Sequence, residues 1–170
     1  MIRDPQRRGH VLAQFFLAVG PRLYADLAEA GVLPTGPDRA QAERARDEWE
    51  CFALYACVRG LVAAGGFNRE TAIAIDALHE RVLDAWAGRS PDPGATAARR
   101  NRIAERYAEY GGIGQAGGAA GAATVTRRLG EAAARHMARC DPPPAELAEQ
   151  AGALHESLAE GAAESVRRAE

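Results

Sequence analysis

A chain of 170 residues, 47% of them hydrophobic, is long and apolar enough to fold as one packed domain. A net charge of -2, with 26% charged residues, excludes any global pull toward nucleic acid or an anionic membrane; only a local basic patch could supply one. Aromatic residues are 6% and much of the apolar share is alanine, so the core must rest on close helix approach and a few large anchors.

The first pattern lies over 10–19, HVLAQFFLAV, where Leu12, Phe15, Phe16 and Val19 share a helical face. Pro21 predicts a break or kink, or the opening of a second helix with Leu23, Tyr24 and Leu27 inward, ending near Gly31. PTGPD at 34–38 is a turn. A helix over about 38–64 follows, solvated in its charged first half. Its second half is apolar on nearly all sides through Trp49, Phe52, Tyr55, Val58, Leu61 and Val62, and so must be enclosed by others. The apolar run 51–67 is too short for a membrane span and carries Arg59, which argues for a buried helix without a membrane role.

Gly65-Gly66 ends that helix, and Asn68 caps the next, over 69–87, whose inner stripe is Ile75, Leu78, Val82 and Trp86. After GRSPDPG at 88–94 a helix is expected over 95–110, then a small-residue stretch, a fifth helix ending near Arg139, and the break CDPPP at 140–144. The last helix, over 145–168, has a narrow stripe of Leu147, Ala151, Leu154 and Leu158 and is expected at the periphery or against a second copy. No strand alternation is visible. The fold expected is all-α: a single domain over 1–170, a compact bundle of about six helices around the buried helix at 38–64.

Cys51, Cys57 and Cys140 form no C-x-x-C pair and no disulfide framework, and the first residues carry no small-residue cleavage signature. A reducing, cytoplasmic location is the expectation. No H-E-x-x-H, paired E-x-x-H or catalytic set is evident, so no metal, cofactor or catalytic residue is assigned. The leading expectation is therefore a non-catalytic interaction or regulatory module whose partner is a protein or its own copy.

Arg59 is the only charge in 51–67, and a buried guanidinium needs a partner; Asp76, Glu80, Glu105 and Glu109 are candidates. Asp76 and His79 lie one turn apart, with Glu80 beside them, a pattern suited to a metal or a proton-transfer histidine. A small-molecule or metal site would gather Arg59, Tyr55, Asp76, His79, Glu80, Tyr107 and Tyr110. His155 flanks the terminal stripe and is expected in solvent. Arg99, Arg100, Arg102 and Arg106 interleave with Glu105 and Glu109, as on a solvated helix with i, i+4 pairs.

The run Gly112-Ile113-Gly114-Gln115-Ala116-Gly117 matches G-x-G-x-x-G, but the charged helical AERYAEY precedes it where a dinucleotide site needs a strand. Gly114/Gly118 and Gly117/Gly121 at i, i+4 instead predict close helix packing. Residues 116–130, AGGAAGAATVTRRLG, resemble the recognition half of a LacI-type helix-turn-helix. That resemblance implies a nucleic-acid-binding regulator in which Thr124, Thr126, Arg127 and Arg128 face the major groove.

Overall fold

The computed structural model describes residues 3–33, 38–89, 92–117 and 121–168. They form six helices, α1 (Pro5–Glu29), α2 (Arg39–Gly65), α3 (Arg69–Arg89), α4 (Pro93–Ala116), α5 (Ala122–Ala138) and α6 (Ala145–Arg168), with no strand among the described residues. Residues 34–37 of the turn expected at 34–38, and Gly118, Ala119 and Ala120 of the small-residue stretch, lie outside the described residues.

Short polar side chains start the helices. Asp4, Asp38 and Asp92 each accept a hydrogen bond from a first-turn backbone N–H, at 2.9–3.0 Å. Asn68 accepts from Thr71 N at 2.9 Å and donates back to the Gly65 carbonyl at 2.7 Å, so one side chain closes α2 and opens α3. Gly66, at φ 75°, makes the left-handed exit from α2.

The helix expected at the centre is there. α2 meets all five other helices, and its Trp49, Phe52, Leu54, Cys57 and Leu61 are fully buried. Its charged half is not simply solvated, however. Asp47 and Glu48 pair with α4: Arg102 reaches Asp47 at 2.8 Å, and Arg106 takes Glu48 in a two-pronged bond at 2.6 and 2.9 Å. Arg99, Arg102 and Arg106 of the basic cluster thus pair across to α2, while Arg100 is exposed as expected of a solvated helix; Arg99 also lies over the Trp86 ring at 5.3 Å.

Two helix boundaries and the placement of one helix depart from expectation. α1 passes through Pro21 as one helix; nearby, Trp49 Nε1 donates to the Gly20 carbonyl at 2.9 Å and ties α1 to α2. By length and composition α1 could cross a membrane, yet Leu12, Phe16 and Leu27 on its inner face are buried in the bundle. α4 continues through Gly111, Gly112 and Gly114 to Ala116, so the G-x-G-x-x-G run is helical and frames no strand-to-helix phosphate loop. Finally, α6 is a core helix. Leu147, Ala151, His155, Leu158, Ala162 and Val166 face α2, α5 and α1, so its stripe is already covered within one chain.

Of the glycines expected to allow close packing, Gly117 does so, since a Cβ there would collide with the Val125 side chain of α5; Gly118 lies outside the described residues, and the broadest crossings use other glycines. A Cβ on Gly9 would collide with the Ala74 carbonyl of α3, one on Gly60 with the Ala159 carbonyl of α6, and one on Gly130 with the Ala148 carbonyl, also of α6. α1 on α3, α2 on α6 and α5 on α6 are the broadest helix contacts, and each has a glycine at its crossing. Gly111 and Gly112 face open space, and Gly114 meets only the Tyr55 hydroxyl.

Candidate functional site

Of the residues expected to line a ligand site, four come together. Tyr107 and Tyr110, one turn apart on α4, both face α2, where Tyr55 packs against their rings at 5.2 and 5.4 Å. His79 arrives from α3 and shares a 2.9 Å hydrogen bond with the Tyr107 hydroxyl. Burial pushes the His79 imidazole down from its ordinary pKa, against the pull of Asp76.

The other three do not join them. Asp76 and Glu80 are exposed on the outer face of α3. Arg59 is not a buried cation: its side chain is 35% exposed and pairs with Glu156 of α6 at 3.3 Å, a partner none of the expected acids supplied. The buried arginine is Arg8, whose residue is 2% exposed and which meets Glu70 at 3.1 Å. Among the described residues no three His, Cys, Asp or Glu side chains lie together to hold a metal ion.

His155 completes the aromatic cluster from α6. Expected in solvent, it is 0% exposed and stacks on Phe52, ring centroids 4.5 Å apart. Neither ring nitrogen has a hydrogen-bond partner among the described residues, and burial, aided by Arg59, lowers its pKa to about 3. At neutral pH it is an uncharged ring. Cys51 is likewise inert, its thiol pushed up to about 12 by burial and then by Glu48. The Tyr110 hydroxyl is also buried without a partner among the described residues. Tyr110→Phe is therefore expected to leave stability unchanged or raise it by up to about 1–3 kcal/mol, because an unsatisfied polar group is removed. Urea titration followed by circular dichroism measures this; a clear loss would reveal a partner for the hydroxyl.

The residues of the helix-turn-helix resemblance do not share a free face. Thr126 turns toward α6, its hydroxyl held by Glu156 at 2.6 Å and by the Ala122 carbonyl. Arg127 pairs with Glu131 at 2.5 Å, Arg128 is exposed and Thr124 is half-buried. The rest of α5 is amphipathic, with Val125, Leu129, Ala133 and Met137 buried, as a core helix requires.

The strongest concentration of charge lies elsewhere. A cleft of about 560 Å³ opens where α2, α4 and the end of α5 meet. Its wall holds Arg44, Arg102, Arg106, Arg135, Arg139 and His136 against two carboxylates, Glu48 and Asp141. Most of these cations are fixed by ion pairs. Glu48 and Asp47 hold Arg102 and Arg106, while Glu109 takes His136 at 2.6 Å and Arg135 at 3.9 Å. Arg135 also reaches Asp141 at 3.5 Å.

Arg139 differs. It caps α5 in the left-handed conformation, φ 53°, and its exposed guanidinium has no ion-pair or hydrogen-bond partner among the described residues. A non-glycine residue there costs about 1–3 kcal/mol, a strain that concentrates at functional positions. No sequence pattern brings Arg44, Arg135 and Arg139 together. The one local signal is an arginine at the helix end where glycine is usual. Comparison with protein-family models, with curated proteins and with solved structures gives no match.

Proposed function

We propose that this chain is a non-catalytic binding module whose arginine-lined cleft takes a small anion bearing a phosphate or carboxylate group. One observation carries the reading: five arginines from two helices and a helix end converge on one cleft with two carboxylates in its wall, in a chain whose net charge is -2. The basic patch is therefore local. Guanidinium groups match phosphate and carboxylate oxygens in two-pronged bonds, and each retains donors beyond those used by one acid. Asp47 and Glu48 hold Arg102 and Arg106 before any ligand arrives, which lowers the ordering cost of binding. The cleft volume of about 560 Å³ suits a small molecule rather than a nucleic-acid duplex.

Thermal unfolding with phosphate or pyrophosphate, against chloride at equal ionic strength, tests the reading. A ligand at a hundred times its Kd stabilises by about 2.7 kcal/mol, a rise of roughly 5–10 °C in Tm for a chain of this size. Arg139→Gly is the informative variant. It removes the unpaired guanidinium while relieving the left-handed backbone, so the unliganded protein stays at least as stable and the anion-induced rise shrinks. No rise with either anion removes the proposal.

A further inference from the structure

We infer that the anion bound in the cleft carries a single aliphatic chain, and that this chain lies in the groove between α5 and α6. The inference rests on the cleft reading above and names its ligand class.

The groove is a separate cavity of about 800 Å³, and it shares Arg135 and Asp141 with the cleft. Its walls are methyl and ring carbons: Ala123 on α5, Ala148 and Ala153 on α6, and Pro142 and Pro143 in the connecting turn. Gly152, also in the lining, adds no side chain. Several of the polar groups along it are engaged, while Glu149 stays exposed at its edge. Arg127 pairs with Glu131, and the Thr126 hydroxyl is held by Glu156. What remains open to a ligand is mostly apolar, with Arg135, paired to Asp141, at the end shared with the cleft.

Helix geometry sets the span. Ala123, Arg127, Glu131 and Arg135 follow one another at one per turn along α5, so from Ala123 to Arg135 the groove runs about 18 Å at ~1.5 Å per residue. An extended alkyl chain suits that shape: it fills a long, methyl-lined trough without asking for hydrogen bonds, while its anionic head reaches Arg135 and the arginines beyond. The ligand would lie lengthwise on the protein surface. A lipid held in a bilayer keeps its chain in the hydrocarbon layer, and Glu131, Glu149 and Asp141 along the groove would oppose an anionic membrane. The occupant is therefore a free monomeric amphiphile.

Calorimetric titration of the full chain with inorganic phosphate, butyl phosphate, octyl phosphate and 1-octanol, each below its aggregation concentration, tests this. Affinity should rise by roughly threefold to fourfold per methylene buried. Octyl phosphate should bind far more tightly than either phosphate or octanol. Ala153→Glu, at an exposed groove position, should abolish the chain-length gain and leave phosphate binding intact; Arg139→Gly should weaken both. Phosphate binding with no dependence on chain length overturns the inference and leaves the cleft reading standing. No binding of phosphate or of any alkyl phosphate overturns both. Octanol binding as tightly as octyl phosphate, octyl phosphate binding unmoved by either substitution, or binding only to phosphatidylglycerol vesicles each overturns the inference too.

Discussion

Lowering the pH from 7 to 4 is expected to reduce stability by on the order of 3 kcal/mol through His155 alone, and His155→Phe is expected to remove that share. The native state holds the imidazole between Phe52 and Tyr55, fully buried, with Arg59 adding repulsion, so it takes a proton only near pH 3. The unfolded chain takes it near the ordinary histidine value of about 6.5. Between those values the unfolded state binds more protons, so stability is whole above about pH 6.5 and falls steadily as the pH drops toward 3. Each pH unit in that window is worth about 1.4 kcal/mol. His79, also lowered by burial, works in the same direction; Glu50, whose carboxyl burial raises, works in the opposite one. Phenylalanine keeps the stacked ring and deletes both unpartnered nitrogens, so the variant should also be more stable at pH 7. Guanidinium denaturation at several pH values measures the slope. Parallel profiles for the two proteins would mean that His155 reaches water or a proton donor in the native state.

The same residue marks the limit of what the sequence discloses. The all-α bundle and its central helix could be read from 46–64, because a helix apolar on nearly all sides has only one stable environment. Asn68 and Gly66 could be read because capping is local chemistry. The stripe of α6 was legible only in part. It steps from Leu147 to Ala151, His155, Leu158 and Ala162, at spacings of four, four, three and four. Composition points instead to Leu154, a more obvious core residue, which lies half-buried at the edge of that stripe. Tyr55, His79, Tyr107 and Tyr110 could be grouped because aromatic residues on neighbouring inner faces meet. The cleft could not, since Arg44, Arg106 and Arg139 lie on segments far apart in sequence, and where their helices meet is a property of tertiary packing. Arg59 misled for a related reason: its neighbours in sequence are apolar, but it sits at the margin of α2 facing Glu156.

Gly60→Ala and Gly130→Ala are expected each to cost about 2–3 kcal/mol, whereas Gly112→Ala should be neutral or stabilising by up to ~1 kcal/mol. All three glycines sit inside helices, where alanine is intrinsically preferred, so propensity alone predicts a gain at every one. Packing reverses the sign at two of them. A methyl at Gly60 meets the Ala159 carbonyl and the Ala162 methyl of α6; at Gly130 it meets the Ala148 carbonyl and the Gly152 backbone. Neither obstacle is the end of a flexible side chain that could swing aside, so the helices must part, and dispersion contacts along the whole crossing weaken together. With so much of the core built from alanine, closeness of approach replaces side-chain size as the source of contact. Gly112 has open space around it and isolates the propensity term. Urea midpoints for the three variants, measured at one pH, separate the two effects. Equal gains at all three positions would show that α2, α5 and α6 are spaced widely enough to admit a methyl, and that the core is held by its few large side chains instead.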